Sequence, residues 1–156
     1  MRDGKMSTHQ KDPLNDLTDF NDRTLNGWVP DVIPSDPIEF RLRRAGDYYL
    51  YQEIRAPGAF LLEKRFPALP PSDFVFRFDC NIQLNFEVTL TSFEDNEIVI
   101  VPVVGSPNWT TLTIPFTLSR AHERGVKLLF AISFGRHFEP PAALSIDNLH
   151  LIQVPA

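Results

Sequence analysis

The segment FVFRFDCNIQLNFEVTL, residues 74–90, constrains the fold more than any other part of the chain. Every even position in it is apolar, and every odd position from 77 to 89 is polar. Because successive side chains of a strand point to opposite faces, this pattern predicts extended structure with one apolar and one polar face. The pattern is longer than a typical strand, so it indicates either one long bent strand or two strands joined by a tight corner near Asn81. One buried and one solvated face are typical of an antiparallel sheet.

Shorter apolar or alternating segments separated by turn signals occupy most of the remaining chain. We expect strands at 38–42, 47–54, 59–66, 97–104, 109–116 and 126–134. The single helix candidate, residues 119–125, has Ser119 as N-cap and Gly125 as stop signal. Roughly eight to ten short strands predict an all-β fold, a two-sheet antiparallel β-sandwich. We expect one sandwich domain over 14–156, preceded by a disordered N-terminal tail over 1–13.

Charge and composition argue against several classes of partner. The net charge is −5 and the pI about 5.3, which argues against nucleic acid as the main partner because phosphate binding needs a basic surface. Cys80 is the only cysteine, so neither an internal disulfide nor a Cys/His zinc site is expected. No run of 18 apolar residues is present, so we expect no membrane insertion.

Catalysis has little support in the sequence. Asp79 and Glu87 lie on one predicted face, but on an extended strand they would be separated by roughly 26 Å, too far for a glycosidase pair. No G-x-S-x-G nucleophile motif and no metal-binding spacing of histidines occurs. We therefore expect that the protein is not an enzyme.

Three segments in order resemble a known fold family. DFNDRTLNGW (19–28), WTTLTIPFTL (109–118) and ALSIDNLHLI (143–152) are similar to the first strand region, a late strand and the last strand of galactose-binding-like jelly rolls. This is the β-sandwich of many carbohydrate-binding modules. The resemblance implies a jelly-roll fold, a lectin-like, non-catalytic role in glycan binding, and Trp28 in the core. It also implies an extracellular or cell-surface location.

The last of these segments changes phase in its middle. Leu144 and Ile146 are apolar at even positions, whereas Leu149 and Leu151 are apolar at odd positions. A β-bulge at Asp147 would produce this change, because it inserts one extra residue into the strand.

The family resemblance implies a structural calcium at this place, held by Asp147 together with Asp19 and Asn21. Calcium takes six to eight oxygen ligands, among them carboxylates. The sequence departs from the family pattern at two positions. Asn21 stands where the family usually has a carboxylate, and Arg23 stands where it usually has a glycine. Two alternatives therefore stay open: Arg23 pairs with Asp147 in place of a cation, or Asp147 only caps the bulge through backbone hydrogen bonds.

Glycan recognition needs exposed aromatic faces and planar polar groups. The alternation places aromatic side chains and a polar row outward, and a loop near residue 136 offers an edge site. The candidate ligand-binding residues are Tyr49, Tyr51, Arg77, Asn81, Gln83, Asn85, Glu87, Trp109, Arg136 and His137. Outward aromatic residues also serve ordinary cross-strand packing. The same features therefore fit a second function, a structural or protein-interaction domain of a phage tail, toxin or surface assembly.

Overall fold

The computed structural model describes residues 13–30, 37–55, 59–92, 98–121, 123–135 and 141–155. These residues contain eleven β-strands and no helix. The strands are β1 Asn15–Thr18, β2 Val29–Pro30, β3 Glu39–Arg44, β4 Asp47–Ile54, β5 Ala59–Phe66, β6 Ser72–Asn81, β7 Phe86–Ser92, β8 Ile98–Val103, β9 Thr110–Leu118, β10 Val126–Phe134 and β11 Ala142–Gln153. The helix predicted for 119–125 is wrong, because its described residues form a bend and a turn. Within the described ranges no helix could span a membrane.

The strands form two antiparallel sheets, as the alternation predicts. The larger sheet has the order β9-β6-β11-β4-β3, with β1 paired to β11 beyond the end of β4. The smaller sheet has the order β2-β5-β10-β7-β8. The segment 97–104 contains β8, an edge strand in which Pro102 is exposed, and this position is one where proline is tolerated. The predicted all-β sandwich is confirmed.

The long alternating segment turns a corner between the two sheets. β6 lies in the larger sheet, β7 lies in the smaller one, and residues 82–85 connect them. The apolar row stays inward on both sides of the corner, with Phe78, Cys80 and Val88 at most 2% exposed. Leu84 is the exception, since it lies in the corner and is 38% exposed.

Phenylalanine rings fill the space between the sheets. Phe76 and Phe78 of the larger sheet each lie 5.0 Å, centroid to centroid, from Phe130 of the smaller sheet, with the rings inclined at 60°. Phe60 meets the same ring edge-on at 6.4 Å. Trp28 is 3% exposed and packs against Phe76, as the family resemblance implies. The core therefore forms by direct contact between the two inward rows.

The phase change in the last strand is a β-bulge, as predicted. Asp147 pairs with Asp79 of β6, and the next pair is His150 with Arg77, so two residues of β11 face one residue of β6. Asn148 has φ 53°, a left-handed conformation that asparagine tolerates better than most residues. The extra residue keeps the apolar side chains on both sides of the bulge facing the core.

The corner at 82–85 depends on a glycine across from it. A Cβ atom at Gly105 would lie 2.2 Å from the carbonyl oxygen of Gln83, closer than real contacts allow. We expect Gly105→Ala to lower the free energy of unfolding by about 1–3 kcal/mol, because the backbone must move to admit the methyl group. Urea unfolding measures this change.

Gly135→Ala is the matched control for the corner, since a Cβ there meets none of the described residues within 4 Å. Its effect should stay within about 0.5 kcal/mol. Equal losses of stability in the two variants would contradict the argument from close approach.

Candidate functional site

The outward face of the larger sheet gathers the candidate side chains. Directly opposite residues of antiparallel strands point to the same face, so the register shows which residues share it. Asp79 of β6 pairs with Thr111 of β9 and with Asp147 of β11. Tyr51 of β4 pairs with Ser145 of β11. One surface therefore combines outward residues from strands that are far apart in the sequence.

Two predicted aromatic residues meet on this face. The rings of Tyr49, from β4, and Trp109, just before β9, lie 5.2 Å apart and are inclined at 80°. β6 and β11 lie between these strands in the sheet. The contact therefore spans the face, and both side chains remain partly exposed. An edge-to-face pair of this kind holds both rings in defined orientations.

Two arginines of the edge strand β3 lie over aromatic rings of the same face. The guanidinium carbon of Arg41 is 3.4 Å from the ring centroid of Tyr51. That of Arg43 is 4.1 Å from the ring centroid of Trp109. Sequence reasoning missed both arginines. The signal was present, because Arg41 and Arg43 occupy the odd positions of segment 39–44 and so alternate with its apolar residues.

Asp147 faces outward yet is fully buried, with 0% of its surface exposed. Arg43 supplies part of the cover, with its Nη1 atom 3.5 Å from Oδ2 of Asp147. The backbone N–H of Asn148 donates a 2.8 Å hydrogen bond to Oδ1. Burial raises the pKa of Asp147 to about 7, and the charges of Asp47 and Asp79 act in the same direction. The hydrogen bond from Asn148 and the charge of Arg43 oppose this rise.

Asp79 links three strands beside this buried carboxyl. The hydroxyl of Thr111 donates to its Oδ1 at 2.6 Å, and the amide of Asn148 donates to its Oδ2 at 2.9 Å. The bulge residue Asn148 is thus tied to β6, and β6 to β9. These hydrogen bonds hold β9, β6 and β11 together on the outward face of the larger sheet.

The residues expected to hold calcium have other partners. Oδ1 of Asp19 accepts the backbone N–H of Asn21, and Oδ1 of Asn21 accepts that of Tyr48. Arg43, rather than Arg23, is the cation beside Asp147, since Arg23 lies over the ring of Tyr48. Across the described ranges no three His, Cys, Asp or Glu side chains cluster as metal ligands would. Calcium binding by Asp19, Asn21 and Asp147 therefore stays a prediction.

The structure separates the predicted polar row. Arg77 and Asn81 lie on the outward face of the larger sheet, in register with His150 and Ser145. Glu87 lies in β7, paired with Pro102 and Ser133 of the smaller sheet, so its side chain points away from the aromatic residues. The polar row is therefore divided between the two sheets, because the chain changes sheets at the corner of residues 82–85.

The remaining candidates lie in the corner or outside the described residues. Asn85 accepts the backbone N–H of Gly105 at 2.9 Å, which gives it a structural partner in the corner. Gln83 is exposed in the same corner. Arg136 and His137 fall outside the described residues.

Comparison with known proteins gives similarity at the level of structure. No family model and no curated protein matches the sequence. Among solved structures, the chain is similar to TmCBM61 in complex with β-1,4-galactotriose, with 13% identity, a TM-score of 0.62, and coverage of 87% of this chain and 94% of that one. It is also similar to the CBM22-1 xylan-binding domain of Paenibacillus barcinonensis Xyn10C, with 13% identity, a TM-score of 0.65, and coverage of 96% and 99%.

A third similar structure has a different context. The enzymatically active domain of tailspike protein 4 from bacteriophage CBA120 matches with 7% identity and a TM-score of 0.64. The match covers 87% of this chain but 20% of that one. At these identities the comparisons show the fold, the β-sandwich that carbohydrate-binding modules share.

Proposed function

We propose that the protein is a non-catalytic carbohydrate-binding module and that its glycan binds on the outward face of the larger sheet. The observation that carries the proposal is the partly exposed pair Tyr49 and Trp109, held at 5.2 Å on that face. Aromatic rings with few rotatable bonds supply contact area at low entropic cost. Asn81 and Arg77 supply polar groups on the same face. The fold shared with galactotriose- and xylan-binding modules supports this function.

A binding role explains the carboxylates of the face better than catalysis does. Asp79 and Asp147 stand opposite each other in register, an arrangement that could suggest a glycosidase pair. Asp147, however, is fully buried, so a substrate has no direct access to it. Both oxygens of Asp79 accept hydrogen bonds from Thr111 and Asn148. Glu87, the other candidate acid, belongs to the opposite sheet.

The similarity to a tailspike domain supports a second candidate function. In that case the sandwich would be a structural or protein-interaction domain in a larger assembly, and the aromatic residues of the larger sheet would be covered by protein. Light scattering separates the two cases. A monomer that binds glycan favours the first function, whereas self-association that protects Trp109 from a fluorescence quencher favours the second.

We expect Trp109→Ala to weaken glycan binding about tenfold or more, because the change removes both the ring and its contact with Tyr49. Affinity electrophoresis against β-1,4-galactan, xylan and acidic polysaccharides measures the effect. A parallel run in EDTA tests the calcium expectation.

Ile100→Ala is the control for this experiment. It removes an apolar side chain that is 57% exposed on the smaller sheet, remote from the proposed face, and should leave binding unchanged. An equal loss of binding in the two variants, or full binding by Trp109→Ala, would place the ligand elsewhere.

A further inference from the structure

The aromatic rings of the proposed face are partly covered by arginine. The guanidinium carbon of Arg41 lies over the ring of Tyr51, 3.4 Å from its centroid, and that of Arg43 lies over the ring of Trp109 at 4.1 Å. A pyranose could stack on those ring faces only after displacing the guanidinium groups. At these two rings a ligand therefore meets the positively charged N–H donors of Arg41 and Arg43.

These arginines keep donors for a ligand. A guanidinium has five N–H donors. Arg41 uses its Nε donor on Glu39 and its side chain is 44% exposed. Arg43 uses Nη1 on Asp147 and its side chain is 28% exposed. Contact with a ring and one hydrogen bond each restrict both side chains, so less side-chain entropy is lost when a ligand binds.

The local charge differs from that of the whole chain. The chain carries a net charge of −5, which repels an anionic ligand at long range. The hairpin 39–48, EFRLRRAGDY, instead holds three arginines against two acidic residues. The outward face also carries Asp79 and Asp147, so the positive charge offered to an anionic ligand is local to Arg41 and Arg43, over the rings of Tyr51 and Trp109.

We propose that the glycan recognised by this face is an acidic polysaccharide and that Arg41 and Arg43 bind the carboxylate groups of its uronic acid residues. This inference rests on the proposed function and specifies its ligand class. The planar fork of a guanidinium matches a carboxylate with two parallel N–H···O bonds. Arg41 and Arg43 are two residues apart on the same edge strand and lie over two rings of one face, so the two arginines can contact neighbouring parts of one extended chain.

The test compares each acidic polysaccharide with its uncharged methyl ester. Polygalacturonate, alginate and hyaluronan are each titrated by calorimetry against their methyl-esterified forms, with β-1,4-galactotriose and xylan oligosaccharides as neutral probes. We expect at least one acidic polysaccharide to bind about tenfold or more tightly than its ester. We also expect that its affinity falls as NaCl rises from 50 to 500 mM, because salt screens charge pairs.

Variants locate the effect. Arg41→Gln should weaken acidic binding about tenfold, whereas neutral probes should change less than twofold. Arg44→Gln is the matched control, since it removes the same charge from the same strand at a side chain that is 78% exposed and paired with Asp47. It should change the affinity less than twofold. Circular dichroism of each variant checks that the fold is retained.

The outcomes separate this inference from the proposed function. Binding of neutral probes or esters as tightly as the acids would overturn the acidic ligand and leave the glycan-binding role intact. Binding of dextran sulfate as tightly as a uronate would overturn carboxylate recognition. An equal loss in the Arg41 and Arg44 variants would overturn the role of the stacked arginines. Absence of binding to every polysaccharide would overturn both proposals.

Discussion

Replacing Phe130 by alanine is expected to lower the free energy of unfolding by about 3–5 kcal/mol. Phe130 has no exposed surface, and its ring contacts those of Phe76 and Phe78 from the opposite sheet. Removing it takes away apolar contact area and leaves a cavity that the two sheets can close only partly. Because domains of this kind are stable by about 5–15 kcal/mol, the loss is a large part of the total.

Urea unfolding followed by tryptophan fluorescence measures the change, since Trp28 packs against Phe76 in the same core. If Phe130→Ala does not fold, Phe130→Leu keeps part of the volume and should lose roughly half as much stability. Val104→Ala is the surface control, at a side chain that is 80% exposed, and should change stability by less than about 0.5 kcal/mol. If Phe130→Ala lowered the free energy of unfolding by less than about 1 kcal/mol, the packing of this ring between the two sheets would not be a main source of stability.

The fold was predictable from local pattern because each strand of a β-sandwich buries one face, and that face appears in the sequence as apolar residues at alternate positions. The row Phe74, Phe76 and Phe78 is buried as expected, and the strand at Asp47–Ile54 has the predicted bounds. The bulge at Asp147 was predictable for the same reason, since a change of phase needs an extra residue.

The pattern could not show which outward residues share a surface. Alternation continues through the corner at 82–85, so Glu87 looked like a neighbour of Arg77 although it lies in the other sheet. The order of strands in a sheet cannot be read from a local pattern either. Arg43 of β3 contacts Trp109, just before β9, although these strands are the two ends of the five-strand path and three strands lie between them.

The ion pair at the site illustrates the same limit. Arg43 and Asp147 are 104 positions apart in the sequence, and the contact depends on the order in which β3, β4 and β11 pair. Arg23 was the candidate that proximity to a family motif suggested, and it lies instead over Tyr48. Long-range pairing of charges therefore needed the structure.

The stability of the protein should depend on pH through Asp147. We expect the free energy of unfolding of the wild type, relative to Asp147→Asn, to fall by about 1.4 kcal/mol per pH unit between pH 4 and pH 7. The pKa of this carboxyl is about 7 in the folded protein, against an ordinary value of 3.8. Between these two values the folded state holds a proton that the unfolded state has released. Unfolding therefore releases a proton, and a rising pH favours the unfolded chain.

The difference should level off outside that window. Above pH 7 the carboxyl is ionised in both states, and below pH 4 it is protonated in both. Asparagine is the appropriate substitution, because it resembles the protonated acid and its carbonyl oxygen can still accept the N–H of Asn148. Denaturant unfolding of the two proteins at pH 4, 5, 6, 7 and 8 gives the difference curve directly, because the other titrating groups are common to both.

Ser145→Ala provides the control, since it changes a buried polar group on the same strand without changing a charge. Its stability relative to the wild type should stay nearly constant across the same pH range. A flat curve for Asp147→Asn would show that the pKa of Asp147 in the folded protein is close to its ordinary value. Arg43 and the hydrogen bond from Asn148 would then offset the effect of burial on this pKa. A curve of the opposite slope would mean that the ion pair lowers the pKa, and the stacked arginine would then be the main stabiliser of this site.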